Sequence, residues 1–474
     1  MKLQKSFSCS VQPFFVAVMF TSLVSTSPSA LAHSFGQRFT LPLPFWMYAS
    51  AASAALLISF IALFAFKPSG KAPQEKTFNN LKRSPSVFNA AASALGFVLM
   101  GLAVFSGLRG VQAPENNFSM TYFWIVYLIG FFYLSVLVGP LHGTTNPWYW
   151  ALTHLEKILR KNRQPPLHYP QWLNAWPVFF LYMGLITLEL FGHASPEWLA
   201  WCLVAYTAWC SIGVVLFGSS VWFANADVFQ AMFNVAGKLS VAASQSAERF
   251  FQRTLKPASV LLIIAMLAST SFDALRESLP WGTFLWTSLL NLFPQPTNNP
   301  FAIITALGGT YVRVEQIAWW LMPAAYWLAM ALTVKTSMAV APNGLRFQEN
   351  MSHAALALLP LVLGYHLAHY FTLLLTQGVN IVHLVSDPLG HGWNLLGTAN
   401  LFRAPVLLEA ETIWNIQIAF IIAGHIGGVV LSHRQASSLH SERLNLLKSQ
   451  LPSLLWMVGL TSFGLWTLSQ PVKS

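Results

Sequence analysis

The residues with the clearest chemical potential in this chain are histidines set inside apolar runs. In Gly364-Tyr365-His366-Leu367-Ala368-His369, His366 and His369 are three apart, which puts both on one face of a helix. Gly424-His425-Ile426 sets a third imidazole near the middle of the next long apolar run. Three imidazoles at one depth suit a divalent transition metal, zinc or copper, and a pair of them suits haem b. Each can instead be satisfied by a carbonyl or a neighbouring helix. The spacing does not choose between these, because the chain has no His-Glu-x-x-His run and no Cys-x-x-Cys. A bound metal would activate water and polarise a phosphoryl oxygen.

Carboxylates near these runs are the candidate proton acceptors. Glu189 lies toward the end of an apolar run with His193 four residues on, a pairing suited to a proton relay, a metal or a buried ion pair. His383, Asp387 and His391 lie between the two His-bearing runs, and Glu409 and Glu411 just before the second. Pro388 and Gly390 stop one helix from carrying that set, so a folded external loop over the histidines is expected. Glu189, Asp387 and Glu409 are the catalytic candidates. His142, His353, His433 and His440 fall near inner loops and read as interfacial or solvated.

The elements that position these groups follow from composition. Of 474 residues, 55% are hydrophobic and 9% charged, against about 25% charged in a soluble domain. The apolar runs are about 20 residues long, as a bilayer-crossing helix requires. Only helices and closed barrels satisfy their backbone in lipid, and continuous runs select helices. The predicted fold is an all-α polytopic transmembrane bundle of about ten spans after a cleaved signal peptide. The spans fall near 46–66, 87–108, 122–141, 176–191, 198–217, 258–274, 317–334, 353–375, 413–431 and 451–468. Residues 275–316 and 376–412 are expected as external regions of a single domain, 33–474. In the first, the apolar stretches 281–293 and 301–312 look too short to cross and are broken by Pro294, Pro296 and Pro300. Pro147 to Arg160 reads as an amphipathic helix lying in the interface.

Charge sets the orientation. The net charge of +11 does not mark a nucleic-acid binder, because the basic residues alternate between loops. Of the 26 Lys and Arg, eighteen fall in inner loops, six in outer segments and two in the signal, which places the mature N-terminus outside a bacterial inner membrane. Lys2 and Lys5, the apolar stretch Val11 to Val24 and the small-x-small triplet Ala30-Leu31-Ala32 make residues 1–32 a signal peptide. The mature chain would begin at His33, whose free α-amine and imidazole form a chelate suited to copper. Cys9, Cys202 and Cys210 offer no disulfide framework. Trp46, Trp124, Trp176, Trp198, Trp319, Trp320 and Trp414 lie near span ends, as an interfacial belt requires.

The stretch Ala32-His33-Ser34-Phe35-Gly36-Gln37-Arg38-Phe39-Thr40-Leu41-Pro42-Leu43-Pro44-Phe45-Trp46 resembles the opening of a bacterial integral membrane family labelled fenitrothion hydrolase, the membrane component of an organophosphorus hydrolase. The resemblance implies hydrolysis of phosphorothioate esters with release of a nitrophenol, a hydrophobic small-molecule substrate, the lipid bilayer as surroundings and a second membrane component as partner. It carries no catalytic motif that can be transferred residue by residue. Two other functions fit the histidines: copper or metal handling, with His33 and the span histidines as a relay, and a haem-bearing electron-transfer subunit pairing His366 or His369 with His425.

Overall fold

A computed structural model describes residues 45–65, 87–160, 164–192, 195–240, 250–251, 254–402 and 408–470. The expected signal peptide, His33 and His193 lie outside the described residues. The described chain is helical and holds no strand. Among the described residues, nine helices are long and apolar enough to cross a membrane: α1 (Phe45–Ala65), α2 (Val87–Arg109), α3 (Phe118–Val138), α6 (Pro196–Phe217), α9 (Pro257–Arg276), α11 (Pro300–Val340), α12 with α13 (Phe347–Ala357 and Leu359–Thr376), α14 (Ala410–Leu439) and α15 (Arg443–Ser469). The apolar α5 (Trp176–Phe191) has 16 residues and completes a set of ten that matches the ten expected runs.

Between α3 and α5 lies α4 (Pro147–Arg160), the expected amphipathic helix. It is docked on the bundle: Trp148 is buried, stacks on Phe229 at 5.4 Å, and donates from Nε1 to Thr207 Oγ1 at 3.0 Å. The stretch after α6, which falls between two of the expected runs, contains two further helices, α7 (Ser219–Asn225) and α8 (Val228–Gly237). Six of the ten residues of α8 are buried hydrophobics, so this segment belongs to the core. Asp227 starts α8 by accepting from the backbone N–H groups of Phe229 and Gln230. The same carboxylate accepts from Tyr206 and Asn146, so a buried charge meets four donors, as its desolvation demands. His142 and His433, read as interfacial or solvated, are buried at 0% and 4% exposure.

The expected break between the stretches 281–293 and 301–312 is present, but the second stretch is not a separate short element. Residues 279–292 form α10 (Leu279–Leu292), and 301–312 are continuous with the seventh run in the 41-residue α11. Pro300 starts that helix instead of ending one: it occupies the first turn, where no N–H is needed, and Asn299 caps it by accepting from Phe301 N at 3.1 Å. At about 1.5 Å per residue, α11 is about 60 Å long, twice the thickness of a bilayer core. The second expected external region is a folded loop in its described part. Asp387 accepts from His391 N and Gly392 N, and Ser386 Oγ lies 2.6 Å from Thr398 Oγ1. Val111 N donates to Leu389 O and Ser106 Oγ to Pro388 O, which ties the loop to the end of α2. Gly390 (φ +73°) permits this approach, since a Cβ there would lie 2.6 Å from Val111 Cγ2.

Two features place the site. Of the nine long spans α9 is the most enclosed, with 78% of its apolar window buried against 17–50% for the others. It therefore faces neighbours all round, α5, α11 and α13 among them. Helices α13 and α14 meet backbone to backbone: a Cβ on Gly364 would lie 2.5 Å from Phe420 O and 3.1 Å from Gly424 Cα. Small residues at such a crossing let two membrane helices approach closely.

Candidate functional site

Helices α5, α9 and α13 bring their C-terminal ends together, and each contributes ionisable groups to one cluster. On α9 the run Ser269-Thr270-Ser271 returns its hydroxyl protons to carbonyls one turn back, and Asp273 follows two residues after it. His369 Nε2 of α13 lies 2.6 Å from Asp273 Oδ2, with the two side chains 20% and 5% exposed. Next to His369, the Tyr370 hydroxyl donates to Glu189 Oε1 of α5 at 2.6 Å. Arg276 closes the end of α9: Nε donates to Glu315 Oε2 of α11 at 3.1 Å, and the guanidinium lies 4.9 Å over the Phe191 ring. Trp281 Nε1 donates to Glu315 Oε1 at 3.1 Å. Charges this deep persist where they are paired and hydrogen-bonded.

A cavity of about 500 Å³ opens beside this cluster. Its polar wall is made by Glu115, Tyr182, Glu189, Ser269, His366 and Tyr370, and the rest is mostly apolar. Tyr182 Oη and Ser269 Oγ lie 2.9 Å apart. The face contributed by α3 is wound in wide π-helical turns over Thr121–Gly130, of which Thr121, Trp124, Ile125 and Leu128 line the space. Such turns are rare and recur at functional sites.

His366 is fixed by α3. Its ring stacks on Phe132 at 4.5 Å, and Tyr133 Oη lies 3.0 Å from Nδ1 and 3.2 Å from the His366 carbonyl. The carbonyl can only accept; with the single Tyr133 proton given to it, the hydroxyl oxygen accepts from Nδ1–H. That tautomer leaves Nε2 as the acceptor of a cavity-wall imidazole.

The three span histidines turn to three different partners. His366 turns to Tyr133, His369 to Asp273, and His425 to its own helix, where Nδ1 donates to Ile421 O at 2.8 Å. His425 is fully buried with Nε2 unpartnered, packed against Tyr365 at 5.8 Å. Among the described residues no three His, Cys, Asp or Glu side chains are grouped closely enough to hold a metal ion. The physical reason is angular. Residues 366 and 369 share a helix face, yet the neighbours packed on the two edges of that face differ, α3 on one and α9 on the other. The zinc, copper and haem b expectations for His366, His369 and His425 therefore lack a donor set. The space beside His369, between Tyr365 and Thr467, is only about 10 Å³, far too small for a haem.

The three expected catalytic carboxylates also separate. Glu189 lines the cavity. Asp387 holds the turn of the docked loop through two backbone N–H groups. Glu409 is exposed just before the first turn of α14. Asp273, Tyr370 and Tyr182 were missed in the residue pattern. Asp273 carried a signal, being the one carboxylate inside the sixth apolar run, and an intramembrane carboxylate calls for a partner. Compared with known proteins, the chain matches no family model, no curated protein and no solved structure.

Proposed function

We propose that this chain is an integral membrane hydrolase that acts on neutral aryl phosphorothioate triesters such as fenitrothion, from the outer side of a bacterial inner membrane. One observation carries the reading: Glu189 and His366 share the wall of an otherwise mostly apolar cavity of about 500 Å³. Apolar walls with a few placed polar groups suit a small hydrophobic ligand. The resemblance of residues 32–46 supplies the ester class, and the excess of Lys and Arg in alternate loops supplies the orientation.

In the proposed reaction, water attacks phosphorus as Glu189 or His366 Nε2 takes its proton. The new P–O bond forms opposite the aryl oxygen, the P–O(aryl) bond breaks, and its electron pair leaves with the nitrophenolate. Tyr370 holds the Glu189 carboxylate, and Tyr133 holds His366 in the tautomer that can accept a proton. Asp273 fixes His369 behind them as a positioning pair. No step is routed through a metal, because the donors are not gathered.

The test is release of nitrophenol by the purified protein in lipid nanodiscs, with Glu189→Gln and His366→Gln alongside. Loss of general-base catalysis lowers a rate by about 10²–10⁴, and a fall of at least about 10² is expected in one of the two. An inactive wild type, or two variants with wild-type rates, overturns the reading.

A further inference from the structure

We propose that the same cavity is a binding site for lipophilic organic cations, aryl-alkyl ammonium ions in particular, and that it rejects organic anions. The inference uses the cavity of the proposed hydrolase but none of its chemistry.

Charge is distributed unevenly in this protein. The chain as a whole carries +11 and has 15 Asp and Glu. Five of these, Glu115, Glu189, Asp273, Glu277 and Glu315, lie on the cavity wall or in the ion-pair cluster beside it. Three of them lie in that cluster: Glu277 and Glu315 pair with Arg276, and Asp273 with His369. Arg276 does not reach the cavity wall, being engaged by Glu315 at 3.1 Å and Glu277 at 3.4 Å. No Lys or Arg is among the described residues that line the space, whereas Glu115 and Glu189 both do.

The rest of the wall suits a cation with an apolar body. Trp124, Tyr182, Trp198 and Tyr370 supply aromatic surface, and the ring face attracts ammonium groups through its quadrupole. The low-dielectric surroundings of a cavity among spans strengthen each of these interactions. A carboxylate about 5 Å from an ammonium at an effective dielectric of about 20 favours it by well over tenfold. An anion of the same shape meets the opposite field. The two anionic products of triester hydrolysis would be disfavoured for the same reason.

Equilibrium binding to the full chain in nanodiscs, corrected for empty nanodiscs, tests this with three probes. Phenyltrimethylammonium is the cation, tert-butylbenzene its neutral isostere and benzenesulfonate the anion. The cation is expected to bind about tenfold or more tightly than its isostere, with no saturable binding of the anion. Glu189→Gln is expected to reduce the cation's advantage about tenfold and to leave the isostere unchanged. Equal binding of cation and isostere, saturable binding of benzenesulfonate, or an unchanged ratio in Glu189→Gln each overturns the proposal, as does failure of all three probes to bind. Should Glu189→Gln not fold, the wild-type ratios decide alone. Cation binding without ester hydrolysis refutes only the hydrolase reading; hydrolysis without cation preference refutes only this one.

Discussion

Replacing Gly364 or Gly424 by alanine probes the step that sets the site, the close crossing of α13 and α14. A Cβ on Gly364 would lie 2.5 Å from Phe420 O, and one on Gly424 would lie 2.7 Å from Pro360 O and 3.3 Å from Leu361 Cα. Ordinary contact begins at 3.4 Å, so relieving the Gly364 clash parts the helices by about 0.9 Å, the difference of those two figures. The obstacles are backbone atoms, which no rotamer change removes. Overpacking of this kind costs about 1–3 kcal/mol, and alanine recovers about 0.5–1 kcal/mol of helix propensity. The expected net loss is about 1–2 kcal/mol. The double variant should lose less than the sum, because one separation relieves both contacts. Gly184→Ala in α5 and Gly459→Ala in α15 are matched controls, since a Cβ at either meets nothing within 4 Å; they should be neutral or slightly stabilising. Equilibrium unfolding in mixed micelles gives the stabilities, and nitrophenol release gives the functional consequence. Tyr370 and His369 ride on α13 with bonds of 2.6 Å to Glu189 and Asp273, so activity should fall with stability. If Gly364→Ala and Gly424→Ala prove as stable as the controls, the backbone contact between α13 and α14 is not what sets their distance.

Asp273→Asn leaves His369 without its anionic partner and should destabilise the fold by on the order of 3 kcal/mol; unfolding in micelles measures it, and a loss below about 0.5 kcal/mol contradicts a buried pair. Burial lowers the pKa of His142 to about 4 from its usual 6.5, outweighing the opposing pull of Asp227. Its folded pKa lies below the unfolded one, so the unfolded chain binds the extra proton and stability is lost as pH falls from 6.5 to 4. That loss is on the order of 3 kcal/mol, and a His142→Gln variant with an unchanged pH slope would refute the assignment. His425→Ala should destabilise by about 2–4 kcal/mol through lost packing without changing the metal content of the purified protein. Elemental analysis checks this, and a parallel fall in metal for His366→Ala and His425→Ala would mean that the two share a site.

Much of this architecture is legible along the chain. An apolar run of about 20 residues admits few structures in lipid other than a helix, because each backbone group must be satisfied within its own segment. That constraint is local, so all ten runs emerge as helices. Pro300 marks the expected break, since proline is favoured in a first turn, but the continuation of 301–312 into the seventh run is not legible from the proline itself. The amphipathic α8 passes unnoticed because ten residues are too few to span a bilayer, and the buried Asp227 that caps them has no visible partner until Asn146 and Tyr206 arrive from elsewhere.

The site divides the same way. Its ingredients stand out in the sequence, since imidazoles and carboxylates in apolar runs need partners wherever they occur, and Glu189, His366 and His369 were found on that ground. Which partner each one meets is a matter of rotation and of neighbours far apart in the chain. His369 is 96 residues from Asp273, and Tyr370 is 181 residues from Glu189. Sequence spacing fixes a helix face only to within a wide arc, and the packing of α3, α9 and α14 around α13 divides that arc among Tyr133, Asp273 and Gly424. The residue types in each span determined that charged chemistry would be buried in this bundle; the tertiary structure alone decided that it would be an acid-lined cavity and not a cluster of three histidines.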